Sequence, residues 1–463
     1  MSRVVILVAI AALCSTAAQG QQAPANAPPA GGRRPLVGPV QNELYHSSFV
    51  KLGGGAADGL LYEPTKPAGN AHVAVLYSNS NFNFDPPAAE LASRGYRVLF
   101  VPHRAQGGPP GTDATPFVGF NEASRGIEYL RKLPGVQKVV VAGWGAGAVT
   151  MTLYADVAAH GPSACQGKEI LYPCTSEEAS GLAKPDGVIL FDPGLGSGTK
   201  VYGTDPAFDG DQRDRSDLDA FLPANGYDLK TGTAKYSSDF RKRYFAAESA
   251  RNNQVIDAAL ARLKVLNAKG KDADEPFEVP GVTGAGIVAS LQSADTSIMS
   301  HTKRPYTLLR ADGSKPVVLL QSIRPSTGPV GEAAVQEAVA KLQHPARTGY
   351  SVREFLANDA IRSGKDFATT EDDVVGIVWK SSNTGTPAQA EGVSVPSLVL
   401  TNTCFMFVIA SEIVYDHLAA QDKTFVGVEG SEHFFTACKP EYGNPKVRMF
   451  DYVASWLDKP GRF

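Results

Sequence analysis

Short apolar runs recur along this chain, and the stretches between them have helical spacing. That alternation limits the fold more than any other feature of the sequence. HVAVLY (72–77) is a continuous apolar run and reads as a buried strand. PPAAELASRG (86–95) has helical spacing and stops at Gly95, after which YRVLFV (96–101) reads as a second strand. NEASRGIEYLRKLPG (121–135) is an amphipathic helix closed by Pro134 and Gly135. KVVVAGWGAGAVTMTLYADVAAHG (138–161) is a strand, a Gly-rich turn and a long helix, and DGVILFDPG (186–194) is a strand ending in a turn. Strands alternating with helices at this spacing imply an α/β fold, a mostly parallel sheet covered by helices on both faces.

The rhythm then breaks. From about 195 to 390 there is one clear helix (237–270), few apolar strand runs, and turn-rich stretches such as KGKDADEP (269–276) and SSNTGTPAQAEG (381–392). It resumes with the strand VPSLVLTN (395–402), the helix SEIVYDHLAAQD (411–422), the strand KTFVGVEG (423–430) and the helix KVRMFDYVASWL (446–457). The middle block reads as a mainly helical cap inserted over the carboxyl ends of the strands. The expected boundaries are a core in two pieces, 45–200 and 391–463, with the cap at 201–390.

Composition removes other classes. The chain has 463 residues, 43% of them hydrophobic, with a formal net charge of -3, which argues against disorder. Its 44 Lys and Arg are balanced by 47 Asp and Glu, so no nucleic-acid partner is expected. A chain of this length buries a sizeable core without structural metals.

The first residues read as a secretory signal. Met1-Ser2-Arg3 leads into VVILVAIAALC, which is shorter than the ~20 residues a spanning helix needs. The small-x-small site Ala18-Gln19-Gly20 follows, which places the signal at 1–20 and leaves no membrane association after cleavage. Cys14 does not read as a lipid attachment site, because Leu13 stands where such sites want a small residue. Residues 21–44 are a flexible leader, Pro/Ala/Gly-rich over its first part. Export to the periplasm or outside the cell changes how the remaining cysteines read, since an even number in an oxidising compartment favours disulfides. Cys165 with Cys174 would be a local staple, and Cys404 with Cys438 the second pair. Neither pair has zinc-ligand spacing, so no metal is expected.

Three local features carry a functional reading. Gly143-Trp144-Gly145-Ala146-Gly147 lies between strand and helix in the frame of a nucleophile elbow, G-x-S-x-G. VEGSEHFF (428–435) places His433 just after the last strand, and VLYSNSNFNFDPP begins as the first apolar strand and runs into a loop. In this order they resemble the α/β-hydrolase fold, over most of 45–200 and 393–463. The resemblance implies that His433 is a catalytic base. It also implies an oxyanion hole of backbone amides, from Ala146 at the head of a helix and from Asn79 or Ser80.

The elbow departs from the pattern. The nucleophile position holds Gly145, which has no hydroxyl, thiol or carboxylate, so no acyl-enzyme forms there. The strand end around Asn402, where the family usually keeps its acid, offers no carboxylate. Asp192, at the end of GVILFD, is the first substitute and Glu412 the second. His103, Arg104 and Trp144 are candidates to line the pocket.

Two functions follow from these residues. One is an enzyme acting on a small ester, lactone or carbonyl compound without a serine nucleophile or a cofactor, with His433 as base. The other is a catalytically retired relative that binds small molecules or serves as a scaffold. Serine chemistry from Ser78 or Ser80 is a third possibility. The sequence leaves the oligomeric state open.

Overall fold

The computed structural model describes residues 39–53, 58–79, 86–102, 115–270, 272–282, 290–343 and 351–463. His103, Arg104 and Ser80, like the leader and signal segments up to residue 38, lie outside these.

Ten strands form the main sheet. In chain order they are β1 (Tyr45–Lys51), β2 (Asp58–Pro64), β3 (Val73–Asn79), β4 (Arg97–Pro102), β5 (Lys138–Trp144) and β6 (Gly187–Phe191). Then come β7 (His301–Leu309), β8 (Val317–Gln321), β9 (Ser397–Asn402) and β10 (Lys423–Val428). Their spatial order is β1-β2-β4-β3-β5-β6-β9-β10-β7-β8. From β4 to β7 every neighbouring pair is parallel, while β1, β2 and β8 pair antiparallel at the two edges. β3 and β6 are buried along their whole length, as continuous apolar runs between two helical layers must be. This is the α/β-hydrolase fold expected from the sequence.

The helices that pack on or follow these strands are α1 (Pro86–Ala92), α2 (Phe120–Arg131), α3 (Ala146–His160), α4 (Ser238–Lys269), α5 (Val408–His417) and α6 (Pro445–Leu457). Among the described residues, no helix is long and apolar enough to cross a membrane.

One part of the middle block differs from a mainly helical cap. HTKRPYTLL and VVLLQ, at 301–309 and 317–321, are strands of the central sheet, with β7 pairing parallel to β10 through Thr307, Leu308 and Leu309. The sequence of β7 hid its place in the sheet. β7 carries Lys303, Arg304 and Pro305 on an exposed outer stretch, so it lacks the unbroken apolar run of an interior strand.

Candidate active site

The turn from β5 into α3 sets the geometry. Gly145 has φ 55 and ψ -115, a backbone state that a residue with a Cβ enters only with strain. The flanking glycines serve close approach. A Cβ on Gly143 would lie 2.2 Å from the Gly147 carbonyl oxygen, and one on Gly147 would lie 2.5 Å from the Ser78 oxygen. The start of α3 is therefore pressed against both its own strand and the end of β3. Asn79 braces this corner, its side-chain amide donating to the Trp144 carbonyl and the Tyr77 hydroxyl, both at 3.2 Å. Ser78 is 1% exposed and its hydroxyl donates to Val101 O at 2.8 Å, an arrangement for holding strands together rather than for attack. Ala146 is exposed at the head of α3, and among the described residues its amide has no acceptor.

His433 faces this turn. Its Nδ1 lies 2.6 Å from Asp192 Oδ2. A Cβ built on Gly145 would stand 2.9 Å from Nε2 and 3.1 Å from Cε1. The free nitrogen thus faces the place where a nucleophile's side chain would start, and among the described residues it has no hydrogen-bond partner. Asp192 is fully buried. Its other oxygen accepts from the Asn402 amide at 3.1 Å and the Thr401 hydroxyl at 3.3 Å. The strand end that lacks a carboxylate therefore still serves one, by holding Asp192 in place. Asp192 and Phe435 are two of the three non-glycine residues with positive φ among those described, and both sit at this site. Backbone strain of this kind persists where surrounding structure enforces it.

Glu412 is not part of the group. It is 1% exposed on α5, and its carboxylate accepts from the backbone amides of Lys303 at 2.9 Å and Arg304 at 3.3 Å. Burial raises its pKa against the pull of those amides. Its work is to close the backbone of β7.

Among the described residues, four aromatic rings surround the imidazole, and of these only Trp144 is a candidate from the sequence. Phe405 stacks on it at 4.5 Å between centroids, Trp144 lies tilted at 5.1 Å, and Phe407 and Phe434 meet it edge-on at 5.5 Å. The signal was available in part, since Phe434 directly follows His433 and Phe405 directly follows Cys404. Asn402 carries no charge and gives no sequence signal of a site role. It is fully buried, and neither polar atom of its side chain finds a partner among the described residues. Each such orphaned group costs about 1–3 kcal/mol.

Both cysteine pairs are joined, Cys165 to Cys174 and Cys404 to Cys438. The second ties the loop bearing Phe405 to the loop bearing His433. Around it, the Cys404 amide donates to Ser431 O at 2.9 Å and the Gly430 amide to Thr403 Oγ1 at 2.8 Å. Replacing Cys404 and Cys438 together by serine is expected to cost about 4 kcal/mol on the chain-entropy view, given a sequence separation of 34. The same change at Cys165 and Cys174, separated by 9, should cost about 2.5 kcal/mol and leave the His433 loop ordered. Thermal melts of the two double variants check the ranking, and His433 ring resonances check which one disturbs the site.

Gly145→Ser tests the turn itself. Strain at this φ and contact with His433 should lower stability by about 1–3 kcal/mol. An unchanged melting temperature would mean that the turn relaxes to ordinary backbone.

No family model and no curated protein matches the chain. Among solved structures it is similar to a mutant of the esterase rPPE, at 11% identity and TM-score 0.37, over 89% of this chain and 82% of that one. It is similar to the monoacylglycerol lipase of Paleococcus ferrophilus at 13% identity and TM-score 0.37, over 87% and 98% of the two chains. It is similar as well to carboxyl esterase 2 of Tuber melanosporum at 9% identity and TM-score 0.36, over 90% and 87%.

Proposed function

We propose that this chain is an exported enzyme that hydrolyses a small ester or lactone by direct attack of water, with His433 as general base and no covalent intermediate. One observation carries the reading. The imidazole is held at Nδ1 by the buried Asp192 at 2.6 Å, while Nε2 is left free in front of a residue that has no side chain. A histidine kept in one tautomer by a buried carboxylate, with its other nitrogen open, is built to take a proton.

In the reaction, Nε2 removes a proton from water as the oxygen bonds to the substrate carbonyl carbon. The carbonyl electrons move onto its oxygen, which faces the Ala146 amide and the positive end of α3. The intermediate collapses, the carbon–oxygen bond to the leaving group breaks, and the alcohol takes the proton back from Nε2. Glycine at 145 keeps the space in front of Nε2 clear of a competing hydroxyl. Two disulfides support the exported location, since such bonds persist in oxidising compartments.

A panel of esters and lactones, with and without a serine-directed phosphonate, tests this. Turnover that survives the phosphonate, with no mass added to the protein, is the expected result. The missing nucleophile favours one rival, a retired binding or scaffolding protein. Ligand binding with no turnover across the panel would establish that rival instead.

A further inference from the structure

We infer that this site takes a substrate whose group beside the reacting carbonyl is neutral and aromatic, and that Phe434 is the residue that selects it. The inference rests on the hydrolytic reading for the chemistry, and on the rings around His433 for the selection.

The surroundings of His433 are unusual in composition. Phe405, Trp144, Phe407 and Phe434 all lie with ring centroids within 5.5 Å of the imidazole. Among the described residues, the one charged group in contact with it is Asp192, which is fully buried and spends its oxygens on His433, Thr401 and Asn402. Among the described residues in contact with the imidazole, an entering ligand finds no cation to pair with. Glu432, which precedes His433 in the chain, accepts from the Thr436 hydroxyl at 2.7 Å and adds negative charge to this loop. Ligand pockets lined mainly by apolar and aromatic groups, with few polar anchors, recognise shape and ring faces rather than charge.

Phe434 stands apart from the other three rings. It is 62% exposed, yet it packs edge-on against both His433 at 5.5 Å and Trp144 at 5.1 Å. Phe434 thus presents open apolar surface against the His433 ring. Ile323, 40% exposed, adds apolar surface near Phe405, whose carbonyl accepts from Ser322 Oγ at 3.1 Å. Aromatic pairs favour offset or edge-to-face contact, and that preference adds to simple burial. The Cys404–Cys438 disulfide joins the loops that carry Phe405 and Phe434, so the wall is ordered before a ligand arrives and loses little freedom on binding.

Three carbonyl probes separate the contributions: phenylacetone, cyclohexylacetone and phenylacetate. None has an ester bond to break, so binding is read apart from turnover, through ring resonances of His433 in selectively labelled protein and by calorimetry. Phenylacetone should bind at least fivefold more tightly than cyclohexylacetone, shift the His433 resonances, and outcompete the phenylacetate anion. Phe434→Ser, at an exposed position that leaves the fold intact, should abolish the fivefold preference. Equal binding of the two ketones, tighter binding of the anion, or an unchanged preference in Phe434→Ser would each overturn the inference. Absence of ketone binding would overturn it too. Selective binding by a protein that hydrolyses nothing would leave the inference standing and remove the hydrolytic reading.

Discussion

Replacing His433 by alanine is expected to lower kcat on the best panel substrate by about 10²–10⁴-fold while KM changes little. In the proposed reaction nothing else near Gly145 takes the proton from water, so its removal acts on the transition state rather than on binding. Asp192→Asn should follow it most of the way. Asn402 and Thr401 would still hold the side chain in position, but an amide facing Nδ1 no longer fixes the tautomer that leaves Nε2 free. Steady-state rates at saturating substrate make the comparison, with circular dichroism and melting curves verifying that the variants are folded. His433→Gln serves as a second variant, because it keeps a polar group above the buried carboxylate. Undiminished turnover in both His433 variants would end the general-base reading.

Glu248→Gln is expected to make the protein more stable, by a margin that widens as pH rises. Glu248 lies on α4, is 1% exposed, and neither carboxyl oxygen has a partner among the described residues. Burial drives its pKa well above the ordinary carboxylate value, and the neighbouring Asp205 pushes the same way. The sign follows from proton counting. Below the unfolded pKa both states hold the proton and burial of the charge costs nothing. Above it the unfolded chain releases the proton while the folded chain keeps it. Stability therefore falls with rising pH, by about 1.4 kcal/mol per unit, until the folded pKa is reached. Glutamine has the same shape and no proton to lose, so the variant escapes that slope. Melting curves of both proteins from pH 5 to pH 8 measure it. A gap that stays constant across this range would mean that Glu248 is ionised in the folded state.

Much of the framework could be read from local pattern. The strands expected at 72–77, 96–101 and 395–402 occur at Val73–Asn79, Arg97–Pro102 and Ser397–Asn402. The long helix expected at 237–270 spans Ser238–Lys269. Each depends on periodicity within a few turns, and periodicity is a property of neighbours in the chain. β7 escaped because Lys303, Arg304 and Pro305 lie exposed in it and break its apolar run, and the edge strand β8 because it offers only the short run VVLL.

The sequence by itself determined that position 145 holds no nucleophile, since glycine carries none in any conformation. It also put Asp192 ahead of Glu412 as the carboxylate beside His433. The hydrogen bond itself belonged to tertiary structure. Asp192 and His433 are 241 positions apart and meet only because β6 and β10 bracket β9 in the sheet. The same sheet order turns Glu412 towards β7. The aromatic wall was decided at that level too, because the loops after β9 and β10 come together only once those strands pair. Side-chain identity is written residue by residue, but a hydrogen bond of 2.6 Å between distant residues exists only after the chain has folded.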